Sequence, residues 1–122
     1  FEFTGHLDKS KVANMLQEAD AYFLPSVSEP FGLATLEAAQ AGLPIVISEQ
    51  SGAKEALSDV LKADYWDVLK FANYLYAVLN YEGLQKQLTE KTGQQLKDLS
   101  WDKVAEDILF YYHMVLEGQG NA

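Results

Sequence analysis

Pro25-Ser26-Val27-Ser28-Glu29-Pro30-Phe31-Gly32-Leu33-Ala34-Thr35-Leu36-Glu37-Ala38-Ala39-Gln40-Ala41-Gly42-Leu43-Pro44-Ile45-Val46 is the stretch whose reading decides the fold. Just before it, Ala21–Leu24 is apolar on both faces, as a buried parallel strand is, and Pro25 closes it. The loop then opens a helix expected from about Phe31 to Ala41, stopped by Gly42 with Pro44 beyond it. Leu43–Ile47 reads as the next buried strand. Upstream, Phe1–Thr4 alternates like a strand, and Asp8 or Ser10 can cap a helix with the stripe Val12, Ala13, Leu16, Ala19. Downstream, Ser51-Gly52 turns the chain into a short helix, Ala53–Leu57, and Val60–Leu61 offers one more strand. Asp67 can cap a helix through Leu79, buried by Val68, Phe71, Ala72, Leu75 and Leu79. Leu84, Leu88, Leu96 and Leu99 mark another helix. Ser100-Trp101-Asp102-Lys103 opens a last one, with Trp101, Val104, Ala105, Ile108, Tyr112 and Val115 as its buried stripe. The tail from Gly118 carries no pattern and is expected to fray.

Strand–helix alternation implies right-handed crossovers. The expected class is therefore α/β: a Rossmann-like parallel sheet with helices on both faces. A mainly helical extension covers residues 67–117, and residues 1–122 form one domain. Ligands of such sheets bind at the carboxyl ends of the strands. That singles out three loops, Gly5–Leu7, Pro25–Phe31 and Ser48–Ala53.

Composition removes several functions. With no cysteine, disulfides, thiolate nucleophiles and Cys-based zinc sites are excluded. Two distant histidines, His6 and His113, argue against a His-based metal site. No apolar run reaches the ~18 residues of a transmembrane helix. The net charge is −9, and all nine cations are Lys. Such a chain repels a phosphate polymer, so nucleic acid is not an expected partner. A small phosphorylated ligand remains compatible if helix N-termini or groups elsewhere meet its charge. The abrupt strand-like start, Phe1-Glu2-Phe3, leads us to expect a piece of a longer protein.

The central loop has a chemistry of its own. Glu29 stands at the end of a buried strand, and Phe31, Gly32 and Leu33 begin a helix, where N–H groups lack intrahelical partners. Gly32 lets a ligand approach the backbone, and the helix N-terminus favours phosphate. Glu37 follows about 7–8 Å along the axis. Two carboxylates thus flank a row of amides, an arrangement suited to the paired hydroxyls of sugars and riboses. Taken singly, Glu29 reads equally as a solvated loop acid and Glu37 as an exposed helix residue.

Together these residues resemble the retaining glycosyltransferases of family 4 (group 1), which include glycogen synthases and bacterial mannosyl- and glucosyltransferases of GT-B fold. The likeness rests on Pro25, Ser26, Glu29, Pro30, Phe31, Gly32, Leu33, Leu36, Glu37, Ala38, Ala41, Gly42, Pro44 and Val46 in register, with seven residues between the two Glu. Phe3-Thr4-Gly5, Ala19-Asp20-Ala21, Ser51-Gly52-Ala53-Lys54-Glu55 and Ser100-Trp101 agree on the flanks, so it spans residues 3 to about 115. The resemblance implies part of a GT-B C-terminal domain. It is the half that binds a nucleoside diphosphate sugar, and the enzyme transfers a hexose to an acceptor hydroxyl with retention. It implies no cofactor and no metal. Glu29 would meet donor-sugar hydroxyls as the catalytic residue, and Glu37 the ribose. Phe31, Gly32 and Leu33 would face sugar and diphosphate, and Gly52 the donor from the later turn. The expected partner domain is an N-terminal, acceptor-binding one, and without it the chain alone is expected to be inactive. The expected location is cytoplasmic or peripheral at the inner face of a membrane, any membrane contact coming through other parts of the protein.

Two departures accompany the likeness. The family's diphosphate-binding Arg and Lys have no counterpart, since the chain holds no Arg, and Ser51-Gly52 stands where two glycines are frequent. Alternatives are a non-catalytic nucleotide-sugar-binding or scaffold module, and a glucan synthase- or phosphorylase-type enzyme on the same fold. A phospho-receiver fits poorly, because no Asp follows a central strand. Ser26 and Ser28 have no neighbouring His base. The Tyr65-Trp66 and Tyr111-Tyr112 pairs read as packing residues before sugar platforms.

Overall fold

The computed structural model describes residues 1–119. Three parallel strands, β1 (Tyr22–Leu24), β2 (Ile45–Ser48) and β3 (Leu61–Ala63), form a sheet in the order β1-β2-β3. The helices are α1 (Lys9–Glu18), α2 (Leu33–Gln40), α3 (Ala53–Ala56), α4 (Val68–Asn80), α5 (Glu82–Asp98) and α6 (Trp101–Gln119). The expected α/β class is what the chain adopts.

β2 explains why the sheet is covered on both faces. All four of its residues are buried, and successive side chains point to opposite sides. Ile45 and Ile47 join Leu16 of α1, Ala38 and Ala39 of α2, and Ala53 and Leu57. Val46 points the other way, to Ala63, Phe71 and Val78 of α4 and Leu88 of α5. β2 begins after Pro44 because Pro44 lacks an N–H for the ladder. Its carbonyl still accepts from Tyr22 N at 3.0 Å.

Asp8 proves to be the cap of α1, its carboxylate accepting from Lys11 N at 3.0 Å and from Ser10 Oγ at 2.6 Å. Those two bonds, the Ser10 one first, hold the Asp8 carboxyl below its ordinary range. Asp67 caps α4 as expected, accepting from Lys70 N at 3.0 Å.

Four expectations fail. Phe1–Thr4 forms no strand. Phe1 and Phe3 are exposed, and alternation makes a strand only where a neighbour supplies ladder bonds. The helix after Glu29 starts at Leu33 rather than Phe31, because Gly32 takes φ 80° and ψ 54°, a left-handed conformation that a helical residue cannot have. In α4 the buried stripe is Phe71 and Val78 with Tyr74 and Leu75 beside them, whereas Val68, Ala72 and Leu79 face solvent. The stripe of α6 is exposed throughout residues 101–118 because no other element lies over it. Its Ser100 cap does form, Oγ accepting from Lys103 N at 3.1 Å. Helix α6 continues past Gly118, and residues 120–122 of the expected tail lie outside the described residues.

Candidate functional site

The site grows from two loops that meet above the sheet. One follows β1 and the other follows β2. Glu29 and Ser51 form an isolated parallel bridge: Gly52 N donates to Glu29 O at 2.7 Å, and Glu29 N reaches Gln50 O at 3.5 Å. Ser48 Oγ donates to Ser26 O at 2.6 Å and ties the loops again nearer the sheet. Gly52 is needed for this approach. A Cβ there would stand 1.9 Å from Pro30 O, inside any contact distance.

Glu29 then turns back on its own helix. Its Oε1 accepts from Gly32 N at 3.1 Å. One of the three amides expected to face a ligand is therefore already used. Among the described residues no acceptor meets the N–H of Phe31, Leu33 or Ala34, so two of the three expected amides stay open and one more opens inside α2. Phe31 is exposed beside them. A carboxylate has about four acceptor positions, so Glu29 keeps capacity for a hydroxyl while holding Gly32 N. Gly32 is enclosed as well as left-handed: a Cβ would lie 3.2 Å from Ala53 Cβ and 3.3 Å from Thr35 Oγ1.

Thr35 and Tyr22 carried no signal in the sequence, and Ser51 stood out only as a turn residue. Thr35 and Ser51 are fully buried, and their hydroxyls have no hydrogen-bond partner among the described residues. Tyr22 is half-buried on β1, with the Thr35 hydroxyl near its phenol but outside hydrogen-bond geometry and with Glu29 and Glu37 close enough to act on it by charge. Burial pushes the phenol above its ordinary value, the Thr35 hydroxyl opposes this, and the two carboxylates add to it. The continuous apolar run Ala21–Leu24 does not single out Tyr22, because its partners come from a helix and a loop.

Glu37 is exposed on the second turn of α2. It borders a cleft of about 390 Å³ between α1 and α2, closed by Leu7, Val12, Leu16 and Gln40. The Gly5–Leu7 loop thus contributes through Leu7, while His6 stays exposed. Gly52 supplies backbone approach, with its amide taken by Glu29 O. Lys54, the cation next to this loop, donates to Glu49 O at 2.6 Å and pairs with the Glu49 carboxylate at 3.5 Å. Tyr65 and Trp66 are an exposed edge-to-face pair, 4.8 Å between centroids, so the expected packing role does not hold. Tyr111, Tyr112 and His113 lie exposed on α6, away from the loops. No group of three or more metal-ligating side chains gathers among the described residues.

Gly52→Ala should destabilise the chain by about 1–3 kcal/mol, the usual cost of overpacking. Gly93→Ala is the control, since its Cβ meets nothing within 4 Å and α5 should gain roughly 0.5–1 kcal/mol. Urea unfolding of both variants checks the opposite signs. Tyr22 makes a second prediction. A raised phenol contributes stability that is complete below about pH 10 and is lost as pH rises through the raised folded value. Unfolding free energies at pH 9 and 11, pH values chosen to bracket that region, should fall more steeply for the unaltered chain than for Tyr22→Phe. Parallel losses would contradict the placement.

The protein-family model for "Glycosyl transferases group 1" matches residues 1–95. The match stops before Ser100-Trp101, whose expected likeness lies beyond it. Glycogen synthase of Mycobacterium tuberculosis is 37% identical over 107 residues, covering 84% of this chain and 26% of the relative. A D-inositol 3-phosphate glycosyltransferase of Salinispora tropica is 30% identical over 101 residues, 80% of this chain and 21% of its own length. Among solved structures, an alpha,alpha-trehalose 6-phosphate synthase from Burkholderia multivorans superposes with a TM-score of 0.79 at 13% identity, over 94% of this chain and 26% of that one. Sucrose-phosphate synthase from Thermosynechococcus elongatus gives 0.76 at 23% identity, over 96% and 30%. These structures are GT-B glycosyltransferases, and this chain matches the α/β arrangement of about a quarter to a third of each. The chain spans roughly a fifth to a third of the relatives it matches. On the family match over residues 1–95, the chain belongs to the group 1 glycosyl transferases.

Proposed function

We propose that this chain is the donor-binding part of a retaining hexosyltransferase that uses a nucleoside diphosphate sugar. The observation that carries the reading is the head of α2, where the Glu29 carboxylate holds the N–H of Gly32 just before the helix and Glu37 lies on the helix beside the α1–α2 cleft. Hydroxyls of the ribose would donate to Glu37. The diphosphate would meet the open N–H groups of Leu33 and Ala34 and the positive end of the α2 dipole. The donor sugar would lie beyond them, against Phe31, Gly32 and the remaining acceptor positions of Glu29.

In the transfer, the bond from the anomeric carbon to the diphosphate oxygen breaks. A bond to the acceptor oxygen forms on the same face, and the acceptor proton leaves toward the departing phosphate. Positive charge develops on the sugar and negative charge on the diphosphate. Glu29 stabilises the first and the α2 amides the second, and interactions that strengthen as charge develops lower the barrier. Lys54 is held by Glu49, so the remaining positive charge for the diphosphate would come from elsewhere in the protein.

The acceptor and the transferred sugar are expected to be chosen largely outside this chain. Two variants of the full-length protein test the assignment. Glu37→Ala should weaken nucleoside diphosphate binding by about ten- to a hundred-fold, the equivalent of losing a charge-assisted hydrogen bond of about 1.5–3 kcal/mol. Unchanged affinity by calorimetry counts against the ribose contact. Glu29→Gln should lose most of kcat while binding the free nucleoside diphosphate nearly as before. Normal turnover would remove Glu29 from the chemistry, and nucleotide-sugar binding without any turnover in the unaltered protein would favour a scaffold module.

A further inference from the structure

Gln50 sits two residues past the last paired position of β2, Ser48 with Ala63. Its carboxamide reaches across to the loop after β3 and uses both of its ends. Nε2 donates to Asp64 Oδ1 at 3.1 Å, and Oε1 accepts from Tyr65 N at 3.2 Å. One residue earlier, Glu49 N donates to Ala63 O at 2.9 Å. The ladder between β2 and β3 therefore continues beyond the sheet, first through main chain and then through a side chain that imitates a peptide group. The other side of the same segment holds Glu29, through Glu29 N to Gln50 O at 3.5 Å and Gly52 N to Glu29 O at 2.7 Å. Glu29 has no other main-chain partner among the described residues. Its carboxylate position thus depends on a segment whose start is tied by main chain, Glu49 N to Ala63 O and Ser51 N to Ser48 O at 3.1 Å, and which the Gln50 amide alone ties by a side chain to the loop after β3.

We propose that Gln50 is a positioning residue for Glu29. The Gln50–Asp64 clamp fixes segment 50–52, and that segment fixes the main chain from which Glu29 reaches Gly32 and the donor sugar. Glu37 and the amides of Leu33 and Ala34 sit on α2, outside the clamp's direct reach, so it acts on turnover rather than on nucleotide binding. The proposal rests on the reading of Glu29 as the residue facing the donor sugar.

The clamp is tested in the full-length enzyme by exchanging its donor and acceptor. Gln50→Glu removes the donor and sets a carboxylate against Asp64. It should lower kcat by about ten-fold, within the roughly hundred-fold that a displacement of about 1 Å can cost, and leave affinity for free nucleoside diphosphate unchanged. Adding Asp64→Asn restores a donor opposite the new carboxylate, so the double variant should recover most of the lost kcat. Asp64→Ala, which removes only the acceptor, serves if Gln50→Glu does not fold; it should lower kcat several-fold at unchanged nucleotide affinity. Wild-type kcat in the single variants, or no recovery in the double variant, overturns the clamp if Glu29→Gln is crippled in the same assay. Wild-type kcat in Glu29→Gln itself overturns the underlying reading instead.

Discussion

The contact between Gly52 and the Glu29–Pro30 peptide is the constraint on which the rest of the site depends. Two loops from neighbouring strands approach until the Gly52 amide lies 2.7 Å from Glu29 O, with no room for a Cβ. That approach sets where the chain must turn to enter α2. The turn requires a left-handed residue, and Gly32 provides it at φ 80°. Once Gly32 has turned, its N–H donates back to the Glu29 carboxylate and closes the loop just ahead of the helix. The buried Thr35 hydroxyl lies against the same turn, 3.3 Å from where a Gly32 Cβ would stand.

Much of this was legible in the chain because local rules and global fold agree there. The apolar run Leu43–Ile47 gives the doubly covered β2, whereas Ala21–Leu24 does form β1 but not a buried strand: at the edge of the sheet its Phe23 is exposed and Tyr22 and Leu24 are half-buried. Gly42 and Pro44 stop α2 as their backbone limits require. The pairing of Glu29 with Glu37 on one loop–helix unit was equally readable, since both lie on a single contiguous segment. What escaped was whatever depends on a partner distant in sequence. Phe1–Thr4 has strand alternation and no strand beside it, so the pattern has nothing to bond. The α6 stripe is amphipathic, and periodicity cannot say whether anything covers it. The occupied Gly32 amide follows from a left-handed turn that spacing alone does not reveal. The Gln50–Asp64 bond joins two loops that meet only because β2 and β3 are neighbours.

Charge shapes the account as much as packing does. The chain carries −9 and no Arg, and the lysine beside the site is held by Glu49. A helix terminus and a few amides are then the positive features available at the head of α2. Such dipolar groups are worth most where water is excluded. The described residues leave this face open, with Phe31 and Leu33 in solvent and the α1–α2 cleft shallow beside Glu37. A donor held by these residues alone would keep much of its diphosphate in water, which fits the proposal that the complete site includes cationic groups outside this chain.

The most direct measurement is a crystal structure of the full-length protein with a nucleoside diphosphate sugar whose glycosidic oxygen is replaced by carbon, so that it cannot be cleaved. The account predicts ribose hydroxyls within hydrogen-bond distance of Glu37, phosphate oxygens on the amides of Leu33 and Ala34, and sugar hydroxyls on Glu29, whose bond to Gly32 N persists. A donor bound away from the head of α2, or one whose sugar leaves Glu29 facing solvent, would contradict it.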